Sequence, residues 1–217
     1  MAASPTISDK VVGRLSLYRR VLGEVAEEGV QYIYSHDLAQ RARGTAAQVR
    51  RDLMTIGYTG SPAKGYDVQE LLGAIGKFLD TRLDQRVALV GVGNLGRALL
   101  SYFVGRHPQF SITAAFDADA KKAGRVINGC PVYALEQLVE VVEHEDICLA
   151  LITVPAEAAQ ETANLLCKAG VRGLLNFAPV RLWVPEGVHV ENLDMTLALE
   201  KVAFFASARR ARKGNAK

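Results

Sequence analysis

The chain has 217 residues, 49% of them hydrophobic, enough to bury a core in one large domain or two small ones. Lysine and arginine number 26 against 23 acidic residues, and the resulting net charge of +3 is too small to imply a partner. No apolar run approaches the roughly 18 residues of a membrane span, and Met1 to Asp9 lack the basic start and apolar stretch of a secretion signal, so a cytoplasmic protein with no membrane partner is expected.

Ser8 to Glu28 carries a helical stripe through Val11, Val12, Leu15, Tyr18, Val21, Leu22 and Val25, and Gly29 ends it. Ser35 stands as N-cap before a short helix over Asp37-Leu38-Ala39, which Gly44 breaks. Thr45 caps the next helix, which runs to Ile56. Gly57, Gly60, Pro62 and Gly65 mark turns, and Tyr58 and Tyr66-Asp67-Val68 flank them as the arms of a two-stranded ribbon. Val68 to Leu79 is one more helix. Near Asp80 to Gln85 the pattern changes. Arg86 to Val90 reads as a strand, Leu95 to Val104 as a helix, Ile112 to Phe116 as a strand and Leu135 to Glu143 as a helix. Ile147 to Ile152 and Val171 to Asn176 are further strands around a helix over Glu157 to Ala169. This alternation predicts an α/β unit with a parallel sheet and helices on both faces. Leu197 to Arg210 is a last helix, apolar around much of its circumference and so expected to be buried on more than one side.

The strand at Val90 runs into Gly91-Val92-Gly93-Asn94-Leu95-Gly96, which opens a helix. In this G-x-G-x-x-G context Gly91 allows a tight turn, Gly93 lets backbone approach a pyrophosphate, and Gly96 lets helix and strand pack closely. The first amides of the helix then face the phosphates. The next strand ends at Asp117, where a carboxylate accepts from an adenosine ribose. Ala118 follows and is not basic, so NAD(H) is favoured over NADP(H). Two more strands end in the loops Thr153-Val154-Pro155 and Phe177-Ala178-Pro179, placed to border the nicotinamide half. None of His36, His107, His144 and His189 sits at a strand's carboxyl end with a paired carboxylate, so no proton donor for a dehydrogenase is evident and no catalytic residue is assigned. Cys130, Cys148 and Cys167 are odd in number, far apart and set in apolar stretches, which fits reduced, buried thiols and not a disulfide framework, a metal site or, with no neighbouring charge to lower a pKa, a redox switch.

The first half reads as helix, short helix, turn, helix, glycine-rich ribbon, helix: a winged helix-turn-helix. The recognition helix is Thr45 to Ile56, with early residues such as Thr45 facing the major groove. Gln48 can pair with adenine, and Arg50 or Arg51 with guanine or phosphate. Lys64 lies near the tip of the wing. Arg41, Arg43, Arg50 and Arg51 form a basic patch without an acid between Arg41 and Arg51. A second basic stretch runs from Ala206 to Lys217.

These features occur together in one order: Arg14-Leu15-x-x-Tyr18-x-Arg20, Ala47 to Leu53, Gly65-Tyr66, Val90 to Gly96, Phe116-Asp117, Leu151 to Pro155 and Leu175 to Pro179. Over nearly its whole length the chain thus resembles the Rex family of redox-sensing transcriptional repressors. The resemblance implies a non-enzymatic homodimer that binds a palindromic double-stranded DNA operator. It implies NAD(H) as allosteric effector, with NADH releasing the protein and NAD⁺ competing for the same site. It implies a winged-helix domain over 1–80, a Rossmann domain over 81–195, and a domain-swapped helix with a basic tail over 196–217. It also implies a switch built from Arg20, Tyr102 and Asp194. Two departures stand out: Ser61-Pro62-Ala63-Lys64 lacks the family's wing arginine, and Met195 follows Asp194 where relatives carry an aromatic or another apolar residue. The residues alone also leave open a small NAD-dependent oxidoreductase with a helical oligomerisation domain, or a repressor answering to a CoA ester, against which Asp117 argues.

Overall fold

The computed structural model describes residues 7–80, 85–105 and 110–214, with backbone alone for 208–214. His107 lies outside the described residues. The chain divides into two compact units, Met1–Leu83 and Asp84–Lys217.

The first unit is a small helical fold with a two-stranded sheet. Its helices are α1 (Asp9–Glu27), α2 (Ser35–Arg41), α3 (Ala46–Thr55) and α4 (Val68–Leu79), and its strands β1 (Tyr32–Ile33) and β2 (Tyr66–Asp67). On α1 the residues Leu15, Tyr18, Leu22 and Val25 share a face and are all buried. They meet Val49 and Leu53 of α3 and Leu71 and Ile75 of α4, all fully buried. Each such side chain contributes about 1.5–3 kcal/mol by leaving water. The helix starts are fixed locally: Thr45 Oγ1 accepts from the Gln48 amide at 3.2 Å, and Asp67 Oδ1 accepts from the amides of Gln69 and Glu70 at 3.0 Å.

Two expectations for this unit are corrected. Ser35 is the first residue of α2, and Tyr34 is its N-cap; the Ser35 hydroxyl instead accepts from Arg50 at 3.0 Å. The ribbon does not pair Tyr58 with Tyr66. β2 pairs antiparallel with β1, Tyr32 opposite Asp67 and Ile33 opposite Tyr66. Tyr58 packs its ring against Tyr66 instead. The wing closes only through a reciprocal Ser61–Gly65 bridge with both bonds at 2.8 Å. Gly65 makes this possible: its φ is +79°, and a Cβ there would lie 2.5 Å from the Ile33 carbonyl oxygen.

The second unit holds a seven-stranded sheet ordered β5-β6-β4-β3-β7-β8-β9. The strands are β3 (Gln85–Val90), β4 (Phe110–Asp117), β5 (Val126–Ile127), β6 (Cys130–Ala134), β7 (Leu149–Ile152), β8 (Gly173–Asn176) and β9 (His189–Asn192). All neighbours are parallel except β5 and β6, an antiparallel hairpin turned by Asn128-Gly129 at φ +50° and +80°. Helices α5 (Asn94–Phe103), α6 (Leu138–His144), α7 (Ala156–Lys168) and α8 (Met195–Gly214) complete the unit. On β3 the side chains alternate: Ala88 and Val90 face the core under α6 and α7, while Val87 and Leu89 face the core under α5. The chain leaves β3 for β4 on one side and returns to β7 on the other. That reversal opens a crevice at the carboxyl ends of the strands.

The α5 side of the sheet is only partly covered. An apolar groove of about 290 Å³ remains, lined by Val87, Phe103, Ile112, Leu149 and Leu175. On α8, Leu197, Leu199, Val202, Phe204 and Phe205 are each more than half exposed. The apolar girth expected to be buried is therefore bare in the single chain.

Candidate functional site

The glycine turn lies at the β3–α5 junction, at the mouth of the crevice. Gly91 has φ +100°, and a Cβ on it would lie 2.7 Å from the Thr153 carbonyl oxygen. A Cβ on Gly96 would strike the carbonyl of Gly91. Gly93 differs: a Cβ there would meet no protein atom. Protein packing thus accounts for the first and third glycines, and the second leaves open room above the turn. Gly93 is the N-cap of α5 and no side chain caps that helix start. The amides of its first turn are left for a ligand, where the helix dipole favours an anion.

Thr153 fastens the turn to β7. Its hydroxyl donates toward the carbonyls of Val90 and Gly91, at 3.0 and 2.7 Å, and its amide donates to Val90 at 2.9 Å. Asp117 closes the other side. Its Oδ2 accepts from the Val92 amide at 2.7 Å and from Lys122 Nζ at 2.9 Å, and Oδ1 accepts from the Asp119 amide at 2.9 Å. Burial pushes its pKa up, but the bonds from Lys122 and from the amides of Asp119 and Val92 outweigh that and hold it below the usual carboxylate value. Lys122 was not singled out from the sequence. The basic group next to Asp117 comes five residues later, brought back by a turn, and not from the position of Ala118.

The structure places Thr153, Val154 and Pro155 on the loop after β7, and Phe177 and Ala178 on the loop after β8. These strands are neighbours, so the two loops and the glycine turn share one edge of the sheet. Asn176, fully buried, ties the second loop down. Its amide group donates to the Val180 carbonyl at 2.8 Å and to Asn192 Oδ1 at 2.9 Å, with the Ala178 carbonyl 3.2 Å away sharing one of these hydrogens, and its Oδ1 accepts from the Ala178 amide. The backbone carbonyl of Asn176 also accepts from Leu193 at 2.8 Å. One residue on, Asp194 Oδ1 accepts from the amides of Thr196 and Leu197 at 2.8 and 3.0 Å, starting α8. The bracing role of Asn176 is not legible in the sequence, because it depends on β9 lying beside β8. Of the other residues expected to form a switch, Tyr102 is half exposed on α5, and Arg20 is exposed on α1 of the first unit. Among the described histidines, His36 and His144 are exposed, and His189 opens β9 at the edge opposite the glycine turn.

In the first unit, α2, its turn and α3 present Gln48, Arg50 and Arg51 on one element, with Arg50 and Arg51 exposed. Arg41 is held by both carboxylate oxygens of Glu28 at 2.7 Å. A groove of about 370 Å³ runs between α3 and the wing, walled by Ser35, Arg50, Met54, Tyr58 and Pro62. Lys64 does not point away from the wing: its Nζ lies 5.7 Å from the centroid of the Tyr32 ring. Tyr34 steadies the wing by donating to the Ala63 carbonyl at 2.9 Å. The whole surface is held from beneath by Asp52 on the inner face of α3, whose carboxylate takes two bonds from Arg14 at 2.6 and 2.7 Å and one from Tyr18 at 2.9 Å.

Comparison with known proteins agrees with both halves. A family model described as a CoA binding domain matches residues 83–180, and one describing a DNA-binding protein N-terminus matches residues 6–53. The redox-sensing transcriptional repressor Rex of Lactobacillus acidophilus is 40% identical over 192 residues, covering 88% of this chain and 91% of that protein. The protein of the same name from Carboxydothermus hydrogenoformans is 41% identical over 198 residues, covering 91% and 95%. Among solved structures, RSP, described as a Rex-family repressor, superposes with a TM-score of 0.88 at 30% identity, covering 96% of this chain and 99% of its own. RSP is also described in complex with β-NAD⁺ and operator DNA, at TM-score 0.88, and in complex with β-NADH, at TM-score 0.85.

Proposed function

The chain belongs to the Rex family of redox-sensing transcriptional repressors, and from that premise we propose how its two units divide the work. It is a DNA-binding repressor that senses the NADH/NAD⁺ ratio. The first unit reads the operator and the second holds the dinucleotide. The observation that carries this is the pairing, in one chain, of an uncapped glycine turn closed by Asp117 with a helix-turn-helix that presents Gln48, Arg50 and Arg51. The relatives are named as repressors, which favours a sensor over a dehydrogenase.

In this reading the amides from Asn94 to Gly96 hold the pyrophosphate, with Gly91, Val92, Gly93 and Leu95 shaping the turn. Asp117 takes the adenosine ribose. Thr153, Val154, Pro155, Phe177 and Ala178 border the nicotinamide. The effector supplies a ring whose charge and pucker change with its redox state. The protein senses that change only by contacting the ring differently in two arrangements. The Asn176 brace gives the loop of Phe177 and Ala178 a direct route to the start of α8. The family resemblance assigns the switch to Arg20, Tyr102 and Asp194, and Asp194 sits at its hinge point because Oδ1 caps the start of α8. On DNA, Thr45 and Gln48 lie at the leading end of α3, Arg50 and Arg51 contact bases or phosphates, and Lys64 adds phosphate attraction.

The protein works as a cytoplasmic homodimer on a palindromic operator. The bare apolar girth of α8 and the apolar groove on the α5 side of the sheet each need cover, and a second copy with its helix exchanged supplies it reciprocally. The domain limits proposed are 1–80, 81–195 and 196–217; the compact units themselves divide between Leu83 and Asp84, and α8 starts at Met195. The test is to select duplexes from a random pool with the purified protein, then titrate the bound complex with NADH. Recovery of a palindrome and its release by NADH, without NADH turnover, is expected. Turnover of NADH with a carbonyl substrate and no duplex retained would overturn the reading.

A further inference from the structure

The carboxylate that closes β4 is half of a charge pair. Lys122 Nζ lies 2.9 Å from Asp117 Oδ2, with side chains 24% and 11% exposed. The pair is held by its surroundings. The Asp119 carboxylate accepts from the Lys121 amide at 3.0 Å, and the Asp119 carbonyl accepts from the Lys122 amide at 2.9 Å. Gly124, at φ +77°, then turns the chain toward the β5–β6 hairpin. The lysine is thus placed by a structured turn.

Lone-pair counting shows what the pair leaves for a ligand. Each carboxylate oxygen offers two acceptor positions. Oδ2 has both filled, by Val92 and Lys122, and Oδ1 has one filled, by Asp119. One position is left. A ribose whose two hydroxyls both donate to a carboxylate needs two. The ammonium, with three donors of which one serves Asp117, is bound to the same carboxylate and has donors left to meet the second hydroxyl.

We propose that Lys122 is the second half of the adenosine-ribose subsite and sets how strictly that subsite rejects a 2′-phosphate. The assignment rests on reading the glycine turn as a dinucleotide site. With NAD(H), Asp117 accepts from one ribose hydroxyl and Lys122 donates to the oxygen of the other. With NADP(H), a phosphate of about −1.5 to −2 charge faces a pair whose formal charges sum to zero. The rejection is weaker than a lone carboxylate would impose, since a neighbouring opposite charge offsets much of the repulsion. Two opposite consequences follow. Without Lys122 the unbalanced Asp117 rejects the phosphate more strongly. Without the charge on Asp117, the unpaired Lys122 becomes a phosphate-binding cation.

The test titrates the full-length protein with NADH and with NADPH, following nicotinamide fluorescence. The two ligands differ only at the 2′-phosphate. The proteins compared are the wild type, Lys122→Gln, Asp117→Asn and the double variant. Wild type is expected to prefer NADH, and Lys122→Gln to widen that preference about tenfold, the factor a change of one ionic contact gives. Asp117→Asn should narrow or reverse it by a similar factor, and the double variant should lose that gain. An unchanged NADH/NADPH ratio in Lys122→Gln, with NADH still bound, would overturn the assignment, as would a gain in NADPH affinity that persists in the double variant. Wild type binding neither dinucleotide would instead overturn the dinucleotide reading, and the assignment with it.

Discussion

Replacing Asp52 by alanine removes the anchor of the DNA-reading helix. The Asp52 side chain is 5% exposed and takes three bonds: two from Arg14, on a side chain 27% exposed, and one from Tyr18, which is buried. Hydrogen bonds to a charged group contribute about 1.5–3 kcal/mol each, and breaking a buried pair costs about 3–5 kcal/mol because the partner is left uncompensated. Arg14 retains some water, which screens part of that loss, so about 2–4 kcal/mol is expected for Asp52→Ala. For a unit of this size that lowers the melting midpoint by on the order of 10–25 °C. The pH dependence has a defined sign. Burial alone would raise the Asp52 pKa, but the bonds from Arg14 and Tyr18 outweigh it and the net shift is downward. A depressed folded-state pKa means the contribution is complete above the unfolded value, near about 4, and is lost as pH falls through the folded one. Calorimetric scans of the wild type and Asp52→Ala should differ by a constant gap from neutral pH down to about pH 5, and the gap should close in stronger acid. Midpoints within about 3 °C of each other at neutral pH would refute the reasoning.

Four other outcomes follow. Gly93→Ala meets no protein atom, so it should lose no more than about 1 kcal/mol from the poorer N-cap yet bind NADH at least about tenfold more weakly in a fluorescence titration, because its methyl fills the room above the turn. Asp194→Asn keeps a good N-cap but loses the charge, so NADH should still bind while failing to release the operator in a gel-shift assay. Phe204→Glu with Phe205→Glu puts charge on the bare girth of α8 and should shift the protein from dimer to monomer in light scattering. Arg43 holds φ +52° in the turn before α3; Arg43→Gly should raise stability by about 1 kcal/mol in urea melts.

The sequence carried the long-period features well. The stripe from Leu15 to Val25, the apolar β3 run and the glycine turn ending in Asp117 each have a pattern several residues long that only one local structure satisfies. What stayed hidden depends on neighbours far along the chain. β1 and β2 are two residues each, too short for any periodicity, so the sequence points to Tyr58 as the partner of Tyr66 where the fold supplies Ile33. The β5–β6 hairpin carries its signal in Asn128-Gly129, but its arms are too short to show a period. Lys122 is a surface-type residue until the turn after Asp119 folds it onto Asp117. Asn176 becomes a brace only once β9 lies beside β8, and the girth of α8 points to burial without saying by what.

The central claim is that dinucleotide and operator are coupled, and coupling is reciprocal. The most direct measurement is the NADH dissociation constant of the full-length protein free and bound to its selected operator, beside the operator dissociation constant with and without saturating NADH, at one salt concentration. The account predicts that each ligand weakens the other by the same factor, at least about tenfold, with NAD⁺ producing a much smaller factor. NADH affinity unchanged by operator, or equal factors for NADH and NAD⁺, would contradict it.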